Sequence, residues 1–477
     1  LSLAVATVGG ARYCRRPLLP LWSVAVYDCL RRSLDHGEGK QLRRLSLRPG
    51  EAVVLAQALA LWAADACVYT FQELWTPEST AWGRMFPRAP PRSSGMVVVQ
   101  TGLLGTLAVG LALTGARAVA PAGWSSDFRG HALSYAVAAA GTVTWLSRWT
   151  APLLGSNPVS WVVLFSLGHS DLLSARTQGG GGGGGTGSGG AAQFPPNDGA
   201  SSLVARAWWE LVTLAGEVGS VLERGDGGNR PLLVAGWVAA LAVVVPLAPR
   251  LSRWLSLSKT ASRKLFHALA TAMFLPAIAL DRDFLSLALG AALGVLLALE
   301  FLRCVGCPPV ASVLDAYYGG FLDARDGGSL VVTHLFLLLG CAVPVWLSGL
   351  AGNRLGVIPY AGVIVLGVGD AMGAVVGSSV GRLRWPGSRR TLEGSASVFL
   401  SSLATLVLAS CVLVEGQGVG GRGWEGEGED EGWRRAAARL AWPVALASLM
   451  EAFTSQVDNL ILPCTLFSCL ALQGEQQ

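Results

Sequence analysis

The stretch from Leu355 to Glu393 reads LGVIPYAGVIVLGVGDAMGAVVGSSVGRLRWPGSRRTLE, an apolar run of membrane length with a single acid, Asp370, inside it. Uncharged runs of about 20 residues satisfy their backbone hydrogen bonds in a bilayer by forming helices. An ionisable side chain in hydrocarbon is costly unless it faces a polar cavity or a cation. We therefore predict that Asp370 has a functional role, in preference to a purely structural ion pair.

The composition is that of a polytopic membrane protein. Of the 477 residues, 52% are hydrophobic and only 14% are charged, whereas soluble domains carry roughly a quarter charged residues. Alternating barrel strands are absent, so we predict an all-α integral membrane protein with roughly 11 to 13 transmembrane helices. The net charge is a modest +5, and the basic residues lie in short loops. That distribution is typical of membrane topology signals and argues against binding to nucleic acid.

Uncharged length predicts where the spans lie. The predicted spans are 51–70, 96–120, 132–147, 151–168, 231–249, 265–280, 284–302, 330–352, 357–381, 395–414, 436–450 and 459–472. The chain divides into a basic cytosolic arm (1–50), an N-terminal transmembrane bundle (51–170), a flexible linker (171–202), an interfacial helix and loop (203–230), and a C-terminal transmembrane catalytic domain (231–477). The linker contains the run Gly179 to Gly185, which cannot bury a core.

The basic loops predict one common face. The loops at 250–264 and 382–390 are separated by four predicted spans, so both lie on the same side of the membrane. The positive-inside rule makes that side cytosolic. The segments 304–328 and 451–459 then face the same way. A soluble nucleotide would reach the protein at this face.

A glycine recurs every four residues in the central span, at Gly369, Gly373, Gly377 and Gly381. This spacing lays a flat stripe along one helix face, where a neighbouring backbone can approach closely. Packing of small residues explains the stripe but leaves Asp370 without a partner. A divalent metal, a Lys or Arg side chain, or water in a cleft would each serve.

The loop that follows this span combines a Pro386-Gly387 turn with the guanidinium groups of Arg389 and Arg390, and a new helix begins after it. Backbone N–H groups, a helix N-terminus and bidentate Arg contacts together bind polyphosphate. Juxtamembrane arginines also anchor loops to anionic headgroups. The loop alone does not distinguish these two interpretations.

Three ordered motifs carry a family resemblance. The segment GVGDAMGAVVGSSVGRLRWPGSRRTLEGSAS resembles the signature of the dolichol kinase family. The sequence SRKLFH at Ser262 to His267 is similar to that family's R-K-x-F-H motif, and MEAFTSQVDNLILP at Met450 to Pro463 is similar to its closing motif. The similarity covers about 250–472, and the closing motif favours dolichol over other acceptors.

The resemblance implies transfer of the γ-phosphoryl group of CTP to the terminal hydroxyl of dolichol. The product, dolichyl phosphate, is the lipid carrier for protein glycosylation, and the enzyme lies in the endoplasmic reticulum membrane and uses a divalent cation (Mg²⁺ or Ca²⁺). The family's CTP-binding segment maps onto Pro386 to Ser401. Its usual Lys-Lys pair is Arg389-Arg390 here, a replacement that keeps the charge but changes its geometry. We expect the prenyl chain to lie between spans against the Gly stripe.

Residues and resemblance together give the predicted site. The catalytic candidates are Asp370, Glu393, His267 and Asp458, although a lone histidine such as His267 is more often a packed residue than a base. The nucleotide-binding candidates are Pro386, Gly387, Ser388, Arg389, Arg390, Thr391, Glu393, Gly394, Ser395 and Lys264. The metal candidates are Asp370 and Glu451.

Three alternative functions are compatible with parts of the sequence. A phytol or other polyprenol kinase, or an enzyme like the phosphatidate cytidylyltransferases, would share the nucleotide features. A transporter or scramblase also places acids in Gly-rich spans, but no inverted repeat is evident and the charged groups gather at one face.

Overall fold

A computed structural model describes residues 93–119, 128–154, 157–168, 229–256, 259–319, 333–348, 356–416, 429–454 and 458–475, with positions 66, 69, 70, 73, 321 and 331. The predicted arm 1–50, the linker 171–202 and nearly all of the predicted interfacial segment 203–230 lie outside these residues. The domain limits therefore stay predictions.

Most of the described residues are helical. In chain order the α-helices are α1 (Ser94–Val119), α2 (Phe128–Trp145), α3 (Ala151–Leu154), α4 (Pro158–Ser166), α5 (Arg230–Trp254), α6 (Lys259–Leu280), α7 (Arg282–Val305), α8 (Val310–Tyr318), α9 (Thr333–Ser348), α10 (Ala361–Val363), α11 (Ala371–Ser379), α12 (Leu392–Gly416), α13 (Glu429–Phe453) and α14 (Asp458–Glu475). A π-helical segment, Ile364–Asp370, joins α10 to α11. Within the described ranges there is no strand, and the single isolated bridge pairs Arg384 with Thr391.

The predicted fold class is confirmed. Among the described residues, seven helices are long and apolar enough to cross a membrane: Ser94–Ala116, Arg230–Trp254, Ala261–Leu280, Arg282–Val305, Ile358–Ser379, Leu392–Ser410 and Trp433–Phe453. Two further apolar helices, Thr333–Ser348 and Asp458–Gln473, are shorter. The predicted total of about 11 to 13 spans includes segments that are not described, so that number stays a prediction.

Local capping sets several helix boundaries. Asn157 accepts hydrogen bonds from the backbone of Val159 and Ser160 and starts α4 just before Pro158. The continuous span predicted at 151–168 is therefore wrong, because the chain forms α3 and then begins a new helix of nine residues. Asp281 caps α7 by accepting from Phe284 N at 2.8 Å.

The described helices pack around one main apolar core, with a smaller cluster at Leu113, Val305 and Cys307. The helix α7 lies against α1, while α12 packs against α11 and α13, and α14 packs against α9 and α13. Core side chains from both groups form one cluster, including Leu164, Leu285, Ile364, Leu406 and Leu466. The run 358–366 is buried, whereas α11 exposes one face to the surroundings of the bundle. Asp370 therefore lies where the central span passes from the core to the bundle surface.

Candidate active site

Asp370 ends the π-helical segment and is only 2% exposed. A π-helical turn is wider than an α-helical turn, and such turns occur mostly as local interruptions, frequently at functional sites. The side chains of the SRKLFH motif on α6 meet Asp370 here. This interruption could not be read from the apolar pattern of the span.

Two cationic or titratable side chains on α6 contact the same carboxylate oxygen. Lys264 Nζ forms an ion pair with Asp370 Oδ2, and His267 Nδ1 lies 3.4 Å from that oxygen. His267 Nδ1 also lies 3.1 Å from the carbonyl oxygen of Leu366. A carbonyl can only accept, so we assign the proton of neutral His267 to Nδ1. This tautomer leaves Nε2 as the basic nitrogen.

Gly367 allows α6 to come this close. A methyl group at position 367 would overlap Thr271 Oγ1 and would lie 3.5 Å from the carbonyl oxygen of His267. Thr271 is itself fixed, because its hydroxyl donates to His267 O at 2.9 Å. The lack of a side chain at Gly367 thus sets the separation between α6 and the π-helical segment.

The predicted nucleotide loop is a hairpin. Leu392 N donates to Leu383 O at 2.8 Å and Trp385 N donates to Arg390 O at 3.1 Å. The tip is a turn with Pro386 followed by Gly387 at φ 73°, the arrangement that favours Pro and then Gly in a type II turn. Thr391 then caps α12, since its hydroxyl accepts from Gly394 N at 3.2 Å. The hairpin therefore delivers the chain directly to a helix N-terminus.

The two arginines of the hairpin have different environments. Arg390 bridges an acid near the end of α13 and an acid at the start of α14. Its NH1 lies 3.0 Å from Glu451 Oε1 and its NH2 lies 2.7 Å from Asp458 Oδ2. Burial opposes its charge, but the attraction of Glu451 and Asp458 outweighs burial and raises the pKa of the Arg390 guanidinium. Both acids also interact electrostatically with Asp370 and Lys264. These five groups form one charged cluster.

Arg389 is the exposed member of the pair. Its guanidinium has neither a hydrogen bond nor an ion pair to any residue in the part of the chain that the structure describes. Arg382, just before the hairpin, and Arg384, on its first arm, are likewise exposed. The basic groups of this loop thus have two roles: Arg390 pairs with acids, whereas the other guanidinium groups are exposed.

Serine hydroxyls fasten the hairpin to α13. Ser388 Oγ donates to Ala452 O at 2.6 Å. Trp385 Nε1 donates to Ser395 Oγ at 3.1 Å, and Ser448 Oγ on α13 donates to Ser395 O at 2.7 Å. Two predicted nucleotide ligands, Ser388 and Ser395, therefore have structural partners in the absence of nucleotide.

Glu393 stands apart from the charged cluster. Its carboxylate accepts from Arg382 N and Leu383 N, both at 3.1 Å, and so stabilises the base of the hairpin. No contact joins it to Asp370 within the described ranges. Its predicted part in catalysis stays a prediction, and the structure gives it a local role.

Within the described residues, the predicted metal ligands do not form a metal site by themselves. In the described part of the chain, no group of three or more His, Cys, Asp or Glu side chains could hold one. The predicted ligands are each paired with a cation instead: Asp370 with Lys264, and Glu451 with Arg390. The need of Asp370 for a partner, which the sequence left open, is met by lysine.

The Gly stripe is a helix-packing surface. A methyl group at Gly373 would lie 2.5 Å from Val398 Cγ2, and one at Gly377 would lie 3.2 Å from Thr391 Oγ1. Gly369 faces the same helix, α12. The expectation that a prenyl chain lies against this stripe is wrong, because α12 already covers it.

Curated dolichol kinases share sequence with this chain. The dolichol kinase of Homo sapiens is 34% identical over 256 residues, 51% of this chain and 45% of that protein. The protein chain resembles dolichol kinases. One from Arabidopsis thaliana is 35% identical over 237 residues (50% and 39%), and one from Schizosaccharomyces pombe is 28% identical over 285 residues (55% and 51%). The resemblance inferred from the three motifs is confirmed.

The similarity to dolichol kinases covers only part of each sequence. The chain spans about half the length of the curated relatives it matches. No family model matches it. No solved structure matches it either.

Sequence reasoning missed two residues that the structure makes prominent. Gly367 lies outside the four-residue spacing of the Gly stripe. Its role is seen only from the overlap that an added methyl group would have with Thr271. Glu300 lies inside the predicted span 284–302 and is 1% exposed. The same rule that singled out Asp370, that an acid within a span needs a reason, would have found Glu300.

Proposed function

We propose that the protein phosphorylates the terminal hydroxyl of dolichol with CTP, giving dolichyl phosphate and CDP. The observation that carries the proposal is the meeting of three separate motifs in one charged cluster: Lys264 and His267 from the first, Asp370 and Arg390 from the second, and Glu451 and Asp458 from the third. The similarity to curated dolichol kinases supports the acceptor and the reaction type.

The nucleotide would bind at the hairpin. Phosphoryl transfer depends mainly on positioning and on neutralising charge on the transferred group. Arg389 is exposed and free to contact phosphate oxygens, and the N-terminus of α12 begins beside it at Leu392. Lys264, oriented by Asp370, would supply a second cation nearer the transferred group. Arg390 would keep Glu451 and Asp458 away from the phosphates.

The transfer itself breaks one bond and forms another. The dolichol oxygen attacks the γ-phosphorus of CTP, the bond from that phosphorus to the β–γ bridging oxygen breaks, and CDP leaves. The hydroxyl proton would pass to Nε2 of His267, because Nδ1 carries the proton directed at Leu366 O. Magnesium typically uses one or two carboxylates and substrate phosphates, so a divalent cation would arrive with the nucleotide.

The prenyl chain needs a different surface from the one predicted. With the Gly stripe covered by α12, the outward face of α11 is the apolar surface next to Asp370, and Met372 and Val375 there are 41% and 58% exposed. A long isoprenoid in the bilayer could lie along this face with its hydroxyl at Asp370. We place the protein in the endoplasmic reticulum membrane with the hairpin facing the cytosol, where CTP is available and where the basic loops belong.

Product analysis tests the proposal. Membranes containing the full chain, supplied with CTP labelled at the γ-phosphate and with dolichol, should yield labelled dolichyl phosphate. Product from ATP and not from CTP would refute the nucleotide assignment. Transfer to phytol or short polyprenols in preference to dolichol would favour the related kinases, and a CDP-lipid with release of pyrophosphate would indicate a cytidylyltransferase. Absence of both labelled lipid and labelled pyrophosphate would leave the transporter alternative.

A further inference from the structure

A second buried acid cluster lies at the end of α7. Glu300 is 1% exposed, and Arg303 one turn later binds both of its oxygens, with Nε 2.9 Å from Oε2 and NH2 2.6 Å from Oε1. The backbone N–H of Val331 donates to Oε1 at 2.6 Å. A buried carboxylate with three charge-assisted hydrogen bonds is fully used by its neighbours, so it is not available for chemistry.

We refer to Glu300, Arg303, Tyr318, Val331 and His334 as the Glu300 clamp. Tyr318, the last residue of α8, places its hydroxyl 3.3 Å from His334 Nε2 on α9. Burial, followed by the charge of Glu300, raises the pKa of Tyr318 to about 12, so its hydroxyl stays protonated at neutral pH and shares a hydrogen bond with the imidazole. The clamp therefore joins the end of α7, α8 and the start of α9.

One connection leads from the clamp to the SRKLFH motif. On α8, Tyr317 neighbours the clamp residue Tyr318, and its ring centroid lies 5.3 Å from that of Phe321. Phe321 in turn meets Phe266 edge to face at 5.2 Å. Phe266 lies between Lys264 and His267 in sequence. Aromatic pairs with this geometry have a preferred orientation, so α8 supports the stretch of α6 that contacts Asp370.

A second connection leads to Asp458. Asn459 Nδ2 donates to Thr333 O, beside His334, at 3.4 Å. A methyl group at Gly340 would overlap Asn459 O, so α9 and α14 are in close backbone contact. Asn459 follows Asp458, which binds Arg390. The start of α9 therefore helps to set where α14 begins.

We propose that Glu300 and Arg303 are positioning residues for the phosphoryl-transfer site, fixing α8 and α9 so that Lys264, His267 and Asp458 converge. This inference rests on the proposed function for its kinetic readout. It does not need that function for its structural readout, because the two connections exist in the protein without substrate.

The variant that tests the clamp is Glu300→Gln, studied in the full chain in detergent. Glutamine keeps the volume and one oxygen for Val331 N–H but removes the charge that holds Arg303. We expect kcat per folded protein to fall about 10-fold to 100-fold, the loss that a displacement of about 1 Å can cause. The KM for CTP should stay within about twofold, because the nucleotide hairpin is not part of the clamp.

Two matched variants separate positioning from general loss of charge. Asp315→Asn removes a further partner of Arg303. The Asp315 side chain is 60% exposed, so kcat should stay within about twofold because exposed pairs contribute little. Asp281→Asn removes the partner of Arg230 at the opposite end of α7 and should also leave kcat unchanged. Equal losses of kcat in all three variants would overturn the proposal.

The double variant Glu300→Gln/Arg303→Met addresses folding. Removing both charges avoids an unpaired buried ion and should restore thermal stability, while kcat should stay low because Val331 and α8 have lost their anchor. Recovery of kcat together with stability would reduce the clamp to a purely structural ion pair.

Hydrogen exchange measures the connections without any turnover. In Glu300→Gln, peptides that contain Val331 to His334 should exchange faster, and so should peptides that begin α14 at Asp458. Faster exchange confined to the first group would overturn the proposal. If wild type makes no dolichyl phosphate, the proposed function fails, and the exchange result still decides whether the clamp positions α14.

Discussion

Glu300 and Asp370 are both buried acids in spans of this protein, and they are held in opposite ways. Glu300 is bound by Arg303 on its own helix and by one backbone N–H, and both oxygens are used. Asp370 is bound by Lys264 and His267 from a helix about a hundred residues earlier in the chain, and both contacts reach a single oxygen. An acid satisfied locally organises its neighbourhood. Asp370 is paired with a lysine and a histidine, side chains that phosphoryl transfer can also use, so its position suits a catalytic role.

The contrast predicts the largest effect for Asp370→Asn. The amide keeps an oxygen for Lys264 but no longer fixes the ammonium by charge. We expect kcat to fall about 10³-fold, the upper range for loss of one electrostatic group in an active site. The measurement is dolichyl phosphate formation per folded protein, with folding checked by size-exclusion chromatography. Near-normal activity would return Asp370 to a structural role like that of Glu300.

Gly367→Ala tests whether the approach of α6 creates the Asp370 site. The added methyl would overlap Thr271 Oγ1, so α6 must move away and carry Lys264 and His267 with it. We expect kcat to fall about 100-fold. Gly236 is a suitable control, since nothing lies within 4 Å of a methyl group added there, and Gly236→Ala should be neutral. Similar activities of the two variants would contradict the role of Gly367.

A smaller and more specific effect is expected at the two arginines. Arg389→Ala should raise the KM for CTP about tenfold with little change in kcat, as expected for loss of one charged hydrogen bond to phosphate. Arg390→Ala should instead lower stability by about 3 kcal/mol, because Glu451 is left buried and unpaired. Initial rates over a range of CTP concentrations and thermal unfolding in detergent distinguish the two. Identical behaviour of both variants would mean that the hairpin arginines act as one unit.

Much of the site was predictable because its signals are local. Asp370 is the single acid in an apolar run, and the turn of the hairpin is predicted by Pro386 and Gly387 next to two arginines. Counting spans predicted that Lys264 lies on the same side of the membrane as the hairpin, and Lys264 contacts Asp370 in the span that leads to the hairpin. The partners could not be predicted, since nothing in the chain says that Arg390 turns to Glu451 while Arg389 faces outward.

The amino-acid sequence was sufficient for the membrane class, the helical architecture and the identity of the charged residues, because hydrophobic length and isolated charges are properties of short segments. The packing of distant helices assigned each of those charges its role. The Gly stripe packs against α12, Asp370 pairs with Lys264, and Glu300 forms a second buried ion pair with Arg303. Burial makes the partner of each ion decisive for its energy, and partners separated by a hundred residues are chosen only when the helices pack.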